Sequence, residues 1–335
     1  MLATSDSFPA AVCPVDLSEL RPGDSGLVCA AAGHGYAVQQ GIPRLLSSTS
    51  NYADGFGAQW HQYRVTQLDS YTGTTISADR LRRCLGEELW AKLQQPSQRL
   101  AVLETGCGAG RFTEILSKLP AAFVTSTDLS AAVESNQLNC PQSEQHRIIQ
   151  CDINQLPFQP GQYDVVICLG VVQHTKNPER TIADLYRQVK PGGWLVIDHY
   201  APSLAAYTKF TALLLRPILK RTSPQFGVKA TRAITRMFFP LHRAVRNVKP
   251  LQMVLSRFSP LLTYYHALPQ LSDQLHYEWA ELDTHDSLTD YYKHLRSPRA
   301  IAATLAELHA GSVWVAKGGN GVEARCQKPS PGQGG

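Results

Sequence analysis

Short apolar runs recur between residues 100 and 200, and each is followed by polar residues or glycine. Runs of this length predict buried strands of a parallel sheet, and the segments between them predict helices on both of its faces. The carboxyl ends of such strands meet at one edge, where ligands bind in open α/β sheets. The predicted strands are Val102–Leu103, Ala122–Thr127, Ile148–Cys151, Tyr163–Leu169 and Trp194–Asp198.

The C-terminal part of the chain predicts that antiparallel strands, and not further parallel ones, complete this sheet. Val313–Lys317 and Val322–Gln327 flank the turn Gly318–Gly321, a pattern typical of an antiparallel hairpin. We therefore expect an α/β, Rossmann-like fold with a doubly wound, mostly parallel sheet of seven strands. The helices expected beside it are Arg111–Leu119, Pro178–Val189 and Arg299–His309, and Lys190–Gly193 is expected to form a turn.

Residues 201–275 are too long for a loop and predict a helical insertion. Apolar and basic residues recur there at helical spacing, and prolines such as Pro217 and Pro240 divide the segment into short helices, which we expect to pack over the ligand edge of the sheet. From His199 to Ser272 the chain has no Asp or Glu but 11 Lys and Arg residues. This charge fits solvated helix faces, a pocket for an anionic acceptor such as a phosphorylated or lipid-linked sugar, or a membrane-surface patch.

Composition is that of a soluble globular protein. The chain has 335 residues, of which 43% are apolar and 18% charged, and it has no uncharged apolar run of the length, about 18 residues, that suggests a membrane span. The residues after Met1 lack the basic and apolar regions of a signal peptide, so we expect a cytoplasmic location. The eight cysteines are scattered, which favours free thiols. Nucleic acid is not an expected partner because no recognised RNA- or DNA-binding module accompanies the basic segment.

The segment from Glu104 to Arg111 carries the clearest chemistry. Three glycines at every second position follow a strand and open a helix, so backbone N–H groups can approach a nucleotide cofactor closely. A dinucleotide fold needs a third glycine where this chain has Arg111, which disfavours a nicotinamide-dependent oxidoreductase. Asp128 stands 22 residues after Gly106, the distance at which a carboxylate reaches the ribose hydroxyls of a nucleoside over the loop.

The same pattern resembles the class I S-adenosylmethionine-dependent methyltransferases, whose motifs also match Thr127–Ser130, Cys151–Ile153 and Gly170–Thr175. The resemblance covers most of the chain and implies methyl transfer with S-adenosyl-L-methionine as cofactor. It implies that the loop holds the methionine part, Asp128 the ribose and Asp152 the adenine. The alternative is a turn or helix cap for both aspartates and a packed position for Cys107. The implied cofactor-binding residues are Glu104, Gly106, Cys107, Gly108, Gly110, Asp128, Leu129, Asp152, Ile153 and Leu169.

Methyl transfer from a sulfonium needs few catalytic groups. The donor is already activated, so the protein must align the acceptor, exclude water and remove a proton from a hydroxyl or protonated amine. His174 follows the fourth strand and is the candidate base, because an imidazole titrates near neutrality. Its alternative role is to cap the next helix or to support the loop. His199 and Tyr200 follow the fifth strand at the same edge.

The first 50 residues resemble the small zinc ribbon that precedes some bacterial methyltransferase domains. A structural zinc site of this kind takes two Cys-x-x-Cys pairs, but here Asp16 and Ala32 replace the second cysteine of each pair. An alternative ligand set is Cys13, Asp16, Cys29 and His34. We expect instead a ribbon without metal that is held together by packing.

The expected organisation is a methyltransferase core interrupted by the insertion. Residues 51–95 resemble the helical cap of a bacterial subgroup of these enzymes, with Trp60 and Tyr63 as core aromatics or ligand contacts. The acceptor is expected to be a small molecule or an anionic glycan- or lipid-linked intermediate, and the rival hypothesis is a non-catalytic cofactor-binding or assembly protein. The expected segments are the ribbon 1–50, the cap 51–95, the core 96–200, the insertion 201–275, the C-terminal part of the core 276–328 and a tail 329–335.

Overall fold

The computed structural model describes residues 8–24, 26–47, 54–203 and 207–330 of the chain. Its first regular structure is an antiparallel meander of four strands. The start of the predicted ribbon, the start of the cap and the end of the tail lie outside these residues. The chain forms two units, and the first contains the meander, residues 77–201 and the chain from Tyr292 onward. The strands of the meander are β1 (Leu20–Gly23), β2 (Gly26–Cys29), β3 (Gly35–Gln39) and β4 (Ile42–Leu45).

The predicted parallel sheet forms the centre of the first unit. Its strands are β5 (Leu100–Thr105), β6 (Ala122–Asp128), β7 (His146–Cys151), β8 (Tyr163–Cys168), β9 (Val189–Tyr200), β10 (Gly311–Gly318) and β11 (Gly321–Gln327). They lie in the order β7, β6, β5, β8, β9, β11, β10, and β11 runs antiparallel to both of its neighbours. The predicted fold class and its C-terminal hairpin are therefore confirmed.

The meander extends this sheet, which the sequence did not predict. Arg44 and Leu45 of β4 pair in parallel with Gln150 and Cys151 of β7, so the sheet has eleven strands among the described residues. Leu45 is fully buried in the same apolar cluster as Ile149 of β7. The N-terminal segment is thus part of the main core and not a separate ribbon.

Helices make up most of the remaining regular structure of both units. In chain order they are α1 (Asp54–Gln62), α2 (Asp69–Thr72), α3 (Ile76–Leu93), α4 (Thr113–Leu116), α5 (Ala132–Asn139), α6 (Pro178–Gln188), α7 (Phe210–Leu219), α8 (Pro224–Ala244), α9 (Lys249–Phe258), α10 (Asp273–Thr289) and α11 (Pro298–Glu307).

Two predicted elements of the core differ from the structure. The helix expected over 111–119 is shortened to α4, because the chain on either side of it forms tight turns, such as the one closed by Leu119 N–H on the Leu116 carbonyl. The turn expected at 190–193 is instead an irregularity within β9, where the register with β8 shifts and Gly192 adopts a φ of 80°.

The second unit contains residues 52–76 and 202–291, so the first part of the predicted cap 51–95 lies with the insertion, whereas the rest of it, most of α3, lies in the first unit. Tyr63 donates a 2.6 Å hydrogen bond to Glu281, and the Trp279 indole N–H donates to the Thr66 carbonyl. Tyr63 is therefore a core aromatic of this unit. Because α10 buries Trp279 and Leu282 here, the core resumes at Tyr292 and not at residue 276.

Prolines divide the insertion less than expected. Pro217 and Pro240 lie inside α7 and α8, whereas Pro224 and Pro250 occupy the first turns of α8 and α9, where a missing N–H has no partner to lose. Packing of the insertion over the ligand edge of the sheet stays a prediction. Within the described residues, none of the helices combines the length and the apolar character that crossing a membrane requires.

We expect Leu45→Ala to lower the free energy of unfolding by about 2–4 kcal/mol, because it removes a fully buried side chain from the core that β4 shares with the sheet. Urea unfolding followed by tryptophan fluorescence measures the change. Val28→Ala in β2, where 36% of the side chain is exposed, is the control. Equal effects of the two substitutions would show that β4 is not part of the main core.

Candidate functional site

The glycine loop after β5 is closed tightly against its neighbours. Gly106, Gly108 and Gly110 all have positive φ, between 51° and 98°, which residues with a side chain rarely adopt. A Cβ on Gly106 would also lie 2.2 Å from a methyl group of Val171. Cys107 N–H donates to the Thr127 carbonyl at 2.9 Å, so the loop is fixed to the end of β6. These positions require glycine for steric reasons alone.

Asp128 joins the end of β6 to the loop. Its Oδ1 accepts hydrogen bonds from the N–H and the hydroxyl of Ser130, and its Oδ2 accepts one from Gly108 N–H at 3.0 Å. Burial raises the pKa of Asp128, and the bonds from Ser130 and Gly108 oppose that shift. A carboxylate offers about four acceptor positions, so Oδ2 retains capacity for another donor. The capping role is present, and it leaves room for a ligand hydroxyl.

Asp152 stands at the end of the neighbouring strand β7 and has similar geometry. Its Oδ1 accepts the N–H and the side-chain amide of Asn154, at 2.8 and 3.1 Å. No hydrogen bond reaches its Oδ2 from the residues that the structure describes. Ile153 follows as a buried apolar side chain, and Leu129 is half-buried after Asp128. The two strand ends therefore present matching pairs of a carboxylate and an apolar residue.

Leu169 and Gly170 continue this edge after β8. Leu169 is buried, and Gly170 has a φ of 82° with no atom within 4 Å of the position that a Cβ would occupy. The Gly170 N–H donates to Asp198 at the end of β9, which also pairs with Arg80 of α3. The sheet thus brings the predicted residues of four neighbouring strands to one edge, as the alternation of strands and helices predicted.

Glu104 lies beneath the loop and is only 3% exposed. Its Oε2 accepts hydrogen bonds from the hydroxyls of Thr113 and Ser126, at 2.6 and 2.9 Å. Burial raises the pKa of Glu104 to about 7, although these two hydrogen bonds oppose the shift. The carboxyl therefore connects β5, β6 and α4, and its contact with the ligand stays a prediction.

Cys107 contributes backbone and not chemistry. Its side chain is 4% exposed, and burial raises the pKa of its thiol well above the ordinary value. A thiol held in its neutral form is a poor nucleophile. The packed alternative for Cys107 is the one that the structure has.

His174 lies in a 3-10 turn, Val172–His174, that follows β8. Its Nδ1 is 3.2 Å from the Tyr292 carbonyl, and its ring packs edge to face against Tyr200 at 5.3 Å between centroids. Because a carbonyl only accepts, Nδ1 donates to it, so that Nε2 is the basic nitrogen whenever the ring is neutral. This tautomer is the one that a general base at this edge requires.

Other polar groups at this edge were missed by the sequence analysis. His294 N–H donates to the Gln173 carbonyl, and Arg296 N–H donates to the Tyr200 carbonyl. The Gln173 amide is fully buried, and neither its oxygen nor its nitrogen has a partner among the described residues. No local signal identifies His294 and Arg296, because they reach the edge only after the chain returns from the second unit.

His199 also has an unpartnered atom at this edge. Its Nδ1 is 2.9 Å from the Tyr200 carbonyl, while its buried Nε2 has no hydrogen-bond partner in the described parts of the chain. Burial lowers the pKa of His199, so the ring is neutral at physiological pH. The unpartnered His199 nitrogen and Gln173 amide mark where a polar ligand group would find partners.

Comparison with known proteins identifies the class of the core. Residues 103–197 match the family model of a methyltransferase domain. Over 105 residues the chain is 33% identical to a malonyl-[acyl-carrier protein] O-methyltransferase of Priestia megaterium, covering 31% of this chain and 38% of that protein. Over 96 residues it is 38% identical to a ubiquinone biosynthesis O-methyltransferase of Pseudomonas savastanoi, covering 28% and 40%. The chain thus spans about two fifths of the length of these curated relatives.

A solved structure of magnesium protoporphyrin IX methyltransferase from Synechocystis, with bound SAH, is also similar. It is 14% identical, covers 76% of this chain and 94% of that chain, and has a TM-score of 0.37.

Replacing Glu104 tests how its burial affects stability. In the folded chain its carboxyl keeps a proton up to about pH 7, against an ordinary pKa of 4.5, so the free energy of unfolding falls as pH rises through this window. Glu104→Gln removes this dependence. We expect the variant to gain roughly 3 kcal/mol relative to the wild type between pH 4 and pH 8.

Urea unfolding at a series of pH values measures this difference, and Glu307→Gln, at an exposed position of α11, is the control. Parallel pH profiles for the wild type and Glu104→Gln would contradict the assignment.

Proposed function

We propose that this chain, whose residues 103–197 belong to the class I S-adenosylmethionine-dependent methyltransferases, transfers a methyl group from S-adenosyl-L-methionine to an acceptor hydroxyl. The observation that carries the proposal is the closed glycine loop, held by Gly108 N–H on Asp128 while the Asp128 Oδ2 keeps an acceptor position. A carboxylate that can accept from ribose hydroxyls, next to a loop of backbone N–H groups, is the arrangement that a nucleoside with a charged tail requires.

The residues at the edge fit this cofactor. We assign the ribose hydroxyls to Asp128, the adenine amino group to the Asp152 Oδ2 and the faces of the base to Leu129, Ile153 and Leu169. The loop 106–110 receives the methionine carboxylate, with Gly106 and Ala109 as the N–H groups for which the described residues supply no acceptor, and Glu104 connects the strands next to the loop. When bound, the cofactor supplies a methyl group that is already activated on sulfur.

The remaining chemistry is removal of a proton. With the cofactor bound, Nε2 of His174 would accept the proton of the acceptor hydroxyl as the methyl group is transferred. His199, with its unpartnered Nε2, is the second candidate base. The two curated relatives named above are O-methyltransferases, which supports an oxygen acceptor. The lowered pKa of His199 suits this step because a base must be unprotonated at working pH.

The charge of the second unit supports an anionic acceptor, but less strongly than the sequence suggested. Four of its basic side chains form ion pairs with acidic residues of α10 or just after it. These pairs are Arg216–Asp290, Arg232–Glu281, Arg243–Asp273 and Arg246–Asp273. Exposed basic side chains that form no ion pair within the described residues are Arg221, Lys229, Arg236 and Lys249.

Exposed apolar side chains of the second unit support the proposal that the protein binds its acceptor at a membrane surface. Thirteen of the twenty large apolar side chains that are exposed in the described residues lie between 207 and 258. Leu214 is 72% exposed in α7 and Phe258 is 61% exposed in α9, and the rings of Phe210 and Phe258 connect the two helices at 6.2 Å. Apolar stripes beside basic residues favour anionic lipid, so we propose a lipid-linked, anionic acceptor.

Cofactor binding tests the proposed site directly. We expect Asp128→Ala to weaken binding of S-adenosylhomocysteine by at least about tenfold, because it removes a charged acceptor of ribose hydrogen bonds. Isothermal titration calorimetry of the folded full chain measures the affinity. Asp184→Ala in α6 removes a similarly buried carboxylate elsewhere in the first unit and is the control. No binding by the wild type, or equal binding by both variants, would contradict the assignment.

Vesicle binding tests the proposed membrane surface. We expect the full chain to sediment with phosphatidylglycerol vesicles, less with phosphatidylcholine vesicles and less at high salt, because the exposed cations attract anionic lipid. The double substitution Leu214→Asp, Phe258→Asp should reduce sedimentation at least about tenfold. The matched control is Leu138→Asp in α5 of the first unit, which changes a side chain that is 66% exposed. Equal loss in the control, or no sedimentation of the wild type, would contradict this part.

A further inference from the structure

Four side chains of the N-terminal segment converge on one point, two of them before β1 and two in β2 or the turn that follows it. Cys13, Asp16, Cys29 and His34 each offer one ligand atom, and these atoms all lie within 4.8 Å of one another. The Cys13 Sγ is 3.6 Å from the His34 Nδ1, and the Cys29 Sγ is 3.2 Å from the Asp16 Oδ2. Two thiols, an imidazole and a carboxylate have little reason to meet unless they share a partner.

Two tight turns of the backbone bring these residues together. Leu17 N–H donates to the Cys13 carbonyl at 2.9 Å, and Gly33 N–H donates to the Cys29 carbonyl at 3.0 Å. Leu17 and Gly33 both adopt positive φ, of 58° and 71°, so the two turns have the same form. In the first turn Asp16 provides the second ligand. In the second turn Ala32 stands at that place, and His34 provides the ligand two residues later.

The separations fit a tetrahedral ion. Zinc binds sulfur at about 2.3 Å and nitrogen or oxygen at about 2.0–2.2 Å, so ligand atoms at the corners of a tetrahedron stand about 3.3–3.8 Å apart. The 3.2 and 3.6 Å separations are within a few tenths of an ångström of that range. A set of two sulfurs, one nitrogen and one oxygen suits zinc, whereas magnesium and calcium prefer oxygen ligands alone.

Surrounding donors prepare these ligands for a cation. Ala32 N–H donates to the Cys29 Sγ at 3.2 Å, and the Tyr36 hydroxyl lies 3.2 Å from the Cys13 Sγ, so each sulfur has a group that can stabilise a thiolate. Ser18 donates from its N–H and its hydroxyl to the Asp16 Oδ1, which leaves the Asp16 Oδ2 directed at the Cys29 sulfur.

Burial gives the cluster both an anchor and an entrance. Cys13 and Cys29 are at most 1% exposed and belong to the main apolar core, together with Tyr36. Asp16 and His34 are exposed, so an ion can reach the cluster from solvent. Val12 N–H donates to the Pro157 carbonyl, so the first turn is also fixed to the segment after β7.

We propose that Cys13, Asp16, Cys29 and His34 bind one Zn²⁺ ion, in contrast to the metal-free ribbon that the incomplete cysteine pairs suggested. Four protein ligands leave no open position, so the ion is structural and joins the two turns of the N-terminal segment. Its binding is independent of the proposed methyl transfer, and either proposal can fail without the other.

Metal analysis of the full chain, purified without a metal-affinity step and with a thiol reductant present, tests this site. We expect about one zinc per chain after gel filtration. Reconstitution with Co²⁺ should give thiolate-to-cobalt charge-transfer absorption and the intense visible bands of a tetrahedral ion. Inductively coupled plasma mass spectrometry gives the stoichiometry, and absorption spectroscopy gives the ligand type and geometry.

Substitutions identify the ligands. Cys29→Ala should abolish stoichiometric zinc, and Asp16→Ala and His34→Ala should weaken Co²⁺ binding at least about tenfold. Asp16 and His34 are exposed, so these two variants keep the fold even where Cys29→Ala does not. Cys84→Ala, at a buried cysteine of α3, and His61→Ala, at an exposed histidine of α1, are matched controls that should retain the metal.

Three results would overturn the proposal. The first is absence of zinc from the folded wild type together with failure to bind added Co²⁺. The second is a cobalt spectrum without thiolate charge transfer, or one of six-coordinate form. The third is wild-type affinity and an unchanged spectrum in both Asp16→Ala and His34→Ala.

Discussion

The buried carboxyl of Glu104 is the interaction on which the ligand edge of the sheet depends. It accepts hydrogen bonds from Thr113 of α4 and Ser126 of β6. Asn136 of α5 in turn donates to Thr113, and His146 of β7 contacts Ser126, so one polar network connects five elements under the glycine loop. Moving a carboxylate out of water costs several kcal/mol, and hydrogen bonds to a charged group return about 1.5–3 kcal/mol each. Desolvation exceeds what these hydrogen bonds return, and this excess raises the pKa of Glu104 to about 7.

The parts of the fold that the sequence predicted are those set by local pattern. Continuous apolar runs identify the parallel strands because such strands are covered on both faces, and the glycine turn at 318–321 identifies the hairpin. The features that the sequence did not predict depend on contacts between distant segments. Parallel pairing of β4 with β7 joins segments about one hundred residues apart, and nothing within Ile42–Leu45 indicates which strand it will meet. The shift at 190–193 depends on the register with β8, which no turn propensity encodes.

The residues of the candidate site likewise divide into those that a local pattern predicts and those that depend on distant segments. Asp128, Asp152 and His174 could be placed at one edge from the sequence because they lie at or shortly after the ends of β6, β7 and β8, and strand ends of a parallel sheet share an edge. Glu104 was placed on the correct strand, but its hydrogen bonds with Thr113 and Ser126 join three elements and could not be predicted from any one of them. The segment after Tyr292 reaches the edge only because a separate unit intervenes, and sequence distance conceals that return.

The basic insertion shows why charge must be counted by structural unit and not by stretch of sequence. Between His199 and Ser272 the chain has no acidic residue, but α10 and Asp290 return carboxylates to the same unit and pair with four of its arginines. Exposure of apolar side chains distinguishes the hypotheses for this segment better than its charge does. Solvated helix faces account for exposed Lys and Arg side chains, but they do not account for Leu214, Ile218 and Phe258 in contact with water. Exposed apolar side chains with a few unpaired cations beside them bind best to a surface that offers both hydrocarbon and anionic headgroups. A free soluble anion offers only the charge.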